Sequence, residues 1–533
     1  LEKVPESLSH DGQLKFVPVS IDRCENYPYK HLILLCDSNY RRQYPTTGPN
    51  YTTLIDHDWQ KYVETGADVS KIEELADCYR VRPKWANVMA QIEKCDVPKI
   101  LPKNWIFEHT INKLTTYFAF LKNEPSHEVE DHSYDLSTSP GIPWNKIGFR
   151  TKRAVLEQKP EEFERLIYDL NYPIIDCYND KDELLPKEDL VERNKVRGIF
   201  GSSFHGIYRE KFAYGKQNNA LLERWKTDWI KYGMVKQYGG FNNLLKSLEK
   251  FDCIVESDVS GWDRTVCLEP VYRIRNANLI NPNGEYTDLI NSVTESNVTP
   301  LALLPNGYVI KRPTGNNSGK NNTTTDNSIM HKIVMVYLFF KRMNEQGKEL
   351  KLSHIFENSS MALYGDDKLG GMNLHEFFDS KEHYMDFERE VYAEFGLTIK
   401  KSAQLITTKS KGERISSQHS FLGSYAAYNE EVNMYVPHPR LGKVCSTFIR
   451  KYGNEDKIIR FCRAVNLTLN CYPNPPVFKQ AMGFLQWWYE ENKDYQWQFD
   501  EILDDVDIRI NVEDSFKRVY LGFETRGALG EVF

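Results

Sequence analysis

Asp366 and Asp367 stand side by side in the run Tyr364-Gly365-Asp366-Asp367. Adjacent carboxylates repel, which is hard to explain by stability alone. A divalent cation removes the conflict, because Mg²⁺ prefers carboxylate and water oxygens. Taken alone, the run also fits a solvated hairpin turn. A second acidic pair lies about a hundred residues earlier, in Asp258-Val-Ser-Gly-Trp-Asp263. One of its carboxylates facing Asp366 would complete a site for two cations, which stabilises the attacking and leaving oxygens of a phosphoryl transfer. An N-cap or Asx-turn at each Asp is the plainer alternative.

A third polar run is Gly315-Asn-Asn-Ser318-Gly319-Lys320-Asn-Asn-Thr323-Thr-Thr-Asp-Asn327. Thr323 and Asn327, four apart, share one face of a helix and could hydrogen-bond a ribose. Helix capping would account for Ser318 or Asn322, but not for Asn327 a turn further in.

These side chains need elements to aim them. Residues 251–258 read as a short strand ending in a turn at Gly261, and 361–372 as two strands around a tight turn. A Gly/Asn-rich loop at 311–322 gives way to a helix from about Thr323 to Met343. The stretch 133–144 reads as loop and 152–170 as one helix. The last hundred residues look mostly helical. Their aromatic group, Phe484, Trp487, Trp488, Tyr495, Trp497 and Phe499, reads as core or interlobe packing.

The 533 residues carry 68 Lys+Arg against 75 Asp+Glu, a net charge of −7, with 41% hydrophobic and 27% charged residues. That composition excludes a disordered chain and argues against a whole-surface nucleic-acid binder, while leaving room for a local basic channel. The longest apolar run, 332–340, is far short of the roughly 20 residues that span a bilayer, so no spanning helix is expected. Ten cysteines without a Cys-x-x-Cys pair argue against a zinc ribbon or disulfide scaffold and read as free thiols. Leu1 is followed by charged and polar residues, and no secretory signal is expected there. Two acid-free basic stretches could meet a phosphate backbone: Lys146, Arg150, Lys152 and Arg153, and then Lys311, Arg312 and Lys320.

The order Asp-x4-Asp, Ser-Gly-x3-Thr-x3-Asn and Gly-Asp-Asp resembles the palm motifs of RNA-directed RNA polymerases of positive-strand RNA viruses, in the picornavirus-like supergroup. The likeness extends outward. Ser137-Thr-Ser139-Pro-Gly141-Ile-Pro143 is similar to the fingers loop by which template enters. Lys181-Asp-Glu-Leu184, with Lys187, Lys195 and Arg197, resembles the basic fingers motif of the nucleotide channel, although Leu185 stands where that family often has Arg. Ser420-Phe-Leu-Gly423 falls where a primer-grip hairpin would. The likeness covers roughly residues 137–425. Thr323–Asn327 and Tyr364–Leu369 look astrovirus-like, while Asp258–Asp263 leans towards sobemovirus-like enzymes.

The resemblance implies an α+β right hand with fingers (1–205 and 265–315), a palm of small antiparallel sheet backed by helices (206–264 and 316–415) and a helical thumb (416–533). It implies template-dependent RNA synthesis from ribonucleoside triphosphates with two Mg²⁺ or Mn²⁺ ions. Asp258 and Asp366 would be the metal ligands, with Asp367 a weaker contributor. Asp263 and Asn327 would read the 2′-hydroxyl, supported by Ser318 and Thr323. Lys181, Lys195 and Arg197 would meet the triphosphate; a solvated mixed-charge surface is the other reading of 181–197. Gly141, Pro143, Lys152, Arg153, Gly319 and Lys320 would meet RNA. Lys400 or Lys401 could protonate the departing pyrophosphate, Gln404 standing where relatives carry Lys. Implied partners are template and nascent RNA, ribonucleotides, other viral replication proteins and, for one mode of priming, a protein primer. The expected location is the host cytoplasm, at membrane-associated complexes through other proteins. A reverse transcriptase-like polymerase and a catalytically silent RNA-binding subunit are the competing functions.

Overall fold

In the computed structural model the described residues are 14–126, 135–237, 239–430, 433–451, 457–496 and 498. Trp497 and Phe499 lie outside them. Helices and strands mix throughout, as an α+β reading requires.

The central feature is a four-stranded antiparallel sheet. Its order across the sheet is Ser359–Tyr364, Asp367–Met372, Cys253–Ser260, Thr398–Thr408. The expected strand at 251–258 and hairpin at 361–372 are both present. Alternation along the strands sorts the side chains. Leu369 pairs with Glu256, and continuing that register brings Asp367 opposite Asp258 and Lys368 opposite Ser257. Ser257 and Lys368 therefore share the buried face. Both contact the Glu388 carboxylate, which also accepts from Tyr384 Oη (2.8 Å) and Gln404 Nε2 (2.6 Å). Asp258 is left on the open face, exposed.

Behind the sheet runs the long helix Thr323–Glu345. The apolar run 332–340 belongs to it and is wholly buried, so it serves as core. Lys332 sits in this core with its Nζ 2.8 Å from Asp228 Oδ1, and its ammonium lies 3.9 Å from the centre of the Tyr117 ring. At the start of the helix, buried Asp326 pairs with Arg275 (2.7 Å) and accepts from Tyr272 Oη. These pairs satisfy charges that could not stay buried alone.

A six-stranded mixed sheet draws on distant segments: Phe16–Pro18, Ile33–Ser38, Val309–Lys311, Leu301–Leu303, Ile175–Asp180 and Gly198–Gly201, in that order. The predicted single helix at 152–170 is two, Lys152–Gln158 and Pro160–Tyr168, because Pro160 cannot donate to the preceding turn. The C-terminal part begins with strands rather than helix: Ser424–Asn429 pairs with Met434–Pro439. Three helices follow among the described residues, Leu441–Ile449, Lys457–Cys471 and Pro475–Glu491. Phe484 and Trp488 of the last helix pack with Trp59, Tyr62 and Ile72, so the expected aromatic packing joins the two ends of the chain. Trp488 Nε1 donates to Asp58 (2.7 Å), and Gln480 Oε1 accepts the backbone N–H groups of Lys71 and Ile72. All ten cysteines are free.

Candidate active site

The turn between Tyr364 and Asp367 has Gly365 and Asp366 at its centre. Gly365 takes φ +65°, which suits glycine at the first position of a type II′ hairpin turn. Two side chains of the long helix hold that glycine. Ser328 Oγ accepts its N–H (2.8 Å), and its carbonyl lies 3.1 Å from His331 Nδ1. Asp366 is thereby presented on the open side of the sheet.

Asp258, Asp263 and Asp366 all have solvent-exposed side chains. Burial nevertheless pushes the Asp366 carboxyl up to about 6, reinforced by the negative charges of Asp263 and Asp258 and opposed by Arg197. Burial likewise raises Asp263, against the pull of Asn327, Lys181, Arg312 and Arg264. Asp263 and Asp366 are thus wet while protein groups still crowd around their carboxyls. A carboxyl whose proton affinity is raised by two neighbouring acids fits a cation. Among the described residues no three His, Cys, Asp or Glu side chains close around an ion by themselves. Magnesium does not require such a cage, since one or two carboxylates with substrate phosphates and water suffice.

Asp367 is the exception among the acids. Its Oδ2 accepts the Leu422 backbone N–H (2.6 Å). Burial, with Asp366, Glu256 and Asp258 nearby, pushes it up to about 7 despite that bond. One oxygen of Asp367, read from the sequence as a weaker metal contributor, is thus engaged with the hairpin that follows Ser420, and its other oxygen makes no such bond to Leu422. Glu256 makes the parallel link, accepting from Ser420 N–H (2.8 Å) and Ser420 Oγ (2.7 Å).

Asp263 follows Trp262 on the far side of the Gly261 turn, where the spacing placed it. Asn327 Nδ2 donates to Asp263 Oδ1 (2.8 Å), so the structure brings these two residues together. The support comes from a residue that the spacing did not single out. Asn316 Nδ2 donates to Asn327 Oδ1 (2.9 Å), and its backbone N–H donates to the Asp263 carbonyl (2.9 Å). Thr323 serves the loop instead, donating to the carbonyls of Asn317 and Lys320. Ser318 is exposed. Neither hydroxyl orients Asp263.

The basic residues divide. Arg197 is bound to Glu183, with Nε donating to Oε1 at 2.7 Å, and its charge reaches Asp366 and Asp263. The charge of Lys181 also acts on Asp263, lowering the proton affinity of that carboxyl. Lys195 is not brought to the site; its Nζ lies 3.2 Å from Asp189 in its own turn.

Several expected RNA contacts are overturned. Lys320 is buried, 3.7 Å from Asp176, and donates to the Ser296 carbonyl. Gly319 lies where a Cβ would be 2.7 Å from Gly201 Cα, so its smallness admits a strand, not a nucleic acid. Arg312 is buried over the Phe200 ring and donates to Asn317 (2.5 Å), while Lys311 pairs with Glu295 (2.9 Å). The 305–325 stretch is therefore no basic channel wall. Lys152 is buried too, donating to Thr138 Oγ1 (2.6 Å) and so tying down the loop that carries Gly141 and Pro143, both themselves buried. Arg150 and Arg153 keep exposed side chains, and Lys146 lies over the Tyr40 ring. Opposite Asp258 the pairing with Thr398–Thr408 is interrupted between Ile399 and Gln404. Lys400 and Lys401 are exposed on that interruption, whereas Gln404 is turned towards Glu388.

Residues 122–438, more than half the chain, match the family model described as viral RNA-dependent RNA polymerase, and the chain belongs to that family. It is 25% identical over 318 residues to the genome polyprotein of Tobacco vein mottling virus, covering 57% of this chain and 10% of the polyprotein. Against the genome polyprotein of Beet mosaic virus it is 30% identical over 313 residues, 58% of this chain and 9% of the relative. The non-structural polyprotein 1AB of Turkey astrovirus 2 is 26% identical over 281 residues, 50% of this chain and 16% of the relative. The chain thus spans a small fraction of the polyproteins it matches. The resemblance to positive-strand RNA virus polymerases holds, and an astrovirus is among the relatives.

Proposed function

We propose that this chain synthesises RNA on an RNA template from ribonucleoside triphosphates. The observation that carries the reading is the meeting of acids from two motifs at the hairpin turn: the negative charges of Asp263 and Asp258 both act on the Asp366 carboxyl, with Arg197 opposing them. Asp258 and Asp366 would hold two divalent cations, Mg²⁺ or Mn²⁺. When bound, these ions supply charge that neutralises the triphosphate and make a 3′-hydroxyl a better nucleophile. Arg197 and Lys181 balance phosphate charge from the other side. Asp263 and Asn327, fixed by Asn316, read the 2′-hydroxyl, a group that both donates and accepts. The interrupted strand offers Lys400 or Lys401 as a proton donor to pyrophosphate.

Within this reading the four-stranded sheet and long helix form the palm, the mixed sheet belongs to the fingers and the last helices form the thumb. Template, nascent RNA and other viral replication proteins are the partners, in the host cytoplasm. None of the described helices is long and apolar enough to cross a membrane; recruitment to membranes through other proteins is part of the proposal.

The test is extension of a labelled RNA by the purified chain with template, ribonucleotides and Mg²⁺ or Mn²⁺, alongside Asp366→Asn. Equal extension by the variant refutes the metal role. Comparable use of deoxyribonucleotides points to the reverse transcriptase-like alternative, and RNA binding without incorporation to a silent subunit.

A further inference from the structure

Ser328 and His331 lie next to each other on one face of the long helix, three residues apart. Both reach the same residue of the hairpin turn. Gly365 gives its N–H to Ser328 Oγ at 2.8 Å and sets its carbonyl 3.1 Å from His331 Nδ1. A carbonyl only accepts, so Nδ1 carries the imidazole hydrogen. Nε2 is then the acceptor for the Tyr392 hydroxyl, 2.7 Å away. The ring is fixed from the side by Trp262, with centroids 4.7 Å apart. All three groups, Ser328, His331 and Trp262, are buried. A glycine turn is soft by nature, and here both of its polar backbone groups are clamped by side chains that cannot swing away.

We infer that Ser328 and His331 are positioning residues that set the height and direction of the Asp366 carboxylate, and hence its affinity for the divalent cation. The inference rests on the polymerase reading above, and it concerns residues outside the acidic and ribose-reading motifs. Asn327, the neighbour of Ser328, holds Asp263. One turn of helix thus steadies both the sugar-reading acid and the metal-binding one.

Three substitutions separate positioning from bulk stability. Ser328→Ala removes one acceptor, Ser328→Thr keeps it, and His331→Phe keeps a ring against Trp262 but removes the donor to Gly365. RNA extension is titrated with Mg²⁺ and with Mn²⁺, and thermal unfolding is followed in the same preparations. The expected result for Ser328→Ala and His331→Phe is a roughly 10–100-fold loss of activity or metal affinity, the range seen when groups behind metal ligands are removed. The Mg²⁺ concentration for half-maximal rate should rise, Mn²⁺ should recover part of the rate, and the KM for ribonucleotide should stay near wild type. Ser328→Thr should restore the Mg²⁺ titration. If His331→Phe fails to fold, Ser328→Ala and its threonine rescue decide the matter. Wild-type Mg²⁺ titrations in both folded variants, beside an inactive Asp366→Asn, would overturn the inference alone. An Asp366→Asn enzyme as active as wild type would instead overturn the polymerase reading beneath it.

Discussion

The Leu422 backbone N–H donates to the Asp367 carboxylate at 2.6 Å, tying the acidic turn to the tip of a second hairpin. Leu422 takes a left-handed φ of +50°, and its carbonyl accepts from Lys236 Nζ at 2.8 Å. The two adjacent acids therefore have different surroundings, Asp366 exposed at the turn and Asp367 bonded to the neighbouring hairpin. Asp366→Asn should abolish RNA extension. Asp367→Asn keeps an oxygen for Leu422 and should retain measurable activity, roughly 10–100-fold below wild type. Side-by-side extension assays under the same metal conditions check this order.

Sugar selection should follow the Asn316–Asn327–Asp263 chain of hydrogen bonds. Asn327→Ala should lower the preference for ribonucleotide over deoxyribonucleotide by roughly tenfold to a hundredfold, the worth of one or two buried hydrogen bonds. Asn316→Ala should shift it the same way. Competition between matched GTP and dGTP at one template position measures the ratio directly.

The acidic turn has a pH signature. Asp366 is pushed up to about 6 and Asp367 to about 7, against an ordinary 3.8. In the metal-free protein between pH 4 and 7, the folded state therefore holds protons that the unfolded chain has released. These groups lose stability for the fold as pH rises through that window, with no further loss above it. Added Mn²⁺ competes with the same protons. Its stabilising effect should be near zero at pH 5 and amount to roughly 2–4 °C in Tm at pH 8. Asp366→Asn should remove most of that difference, as read by thermal unfolding with and without the ion.

Lys195 and Arg197, two residues apart, should separate in kinetics. Lys195 is paired with Asp189 and exposed, whereas Arg197 is anchored by Glu183 within reach of Asp366. Lys195→Ala should leave the KM for ribonucleotide within about twofold, as expected for an exposed pair. Arg197→Ala should raise it about tenfold or more, consistent with loss of a charge-assisted phosphate contact.

The Lys332–Asp228 pair is a stability element. Lys332→Met leaves the buried carboxylate with hydrogen bonds from Tyr117 Oη and the Ile230 N–H and with the Lys231 ammonium, which donates to the Asp228 carbonyl, nearby. Such a loss costs about 3–5 kcal/mol. Asp228→Asn in the same chain should recover most of it. Denaturant titrations of the single and double variants provide the comparison.

The motifs were legible because each is local. Asp258 and Asp263 flank one turn, Thr323 and Asn327 one helical turn, and Asp366 and Asp367 one hairpin; each alone had a plainer reading, and their order along the chain, with its likeness to a polymerase family, gave them meaning. Burial was not legible in the same way. Lys320 and Arg312 looked like solvent-facing cations because no acid lies near them in sequence. Their network partner Asp176, held by Asn317 across 141 residues, is visible only after folding. Asn316 read as one more loop asparagine, although its place beside the Gly315 turn was a cue that a side chain there would be pinned. Ser328 and His331 carried no signal of their own, since their partner is the backbone of a glycine. The different surroundings of Asp366 and Asp367 follow from the strand alternation that faces Lys368 inward, a feature that could have been read from the hairpin but was not.

The aromatic contact between Trp59 and Tyr62 near one end of the chain and Phe484 and Trp488 near the other bears on how the molecule is made. Asp58 and Trp488 are 430 residues apart. At about 5–20 residues per second of translation, the early helices wait roughly 20–80 s for their counterparts to leave the ribosome. Closure of this cluster is therefore a late, long-range event that waits for the segment carrying Trp488 to be made.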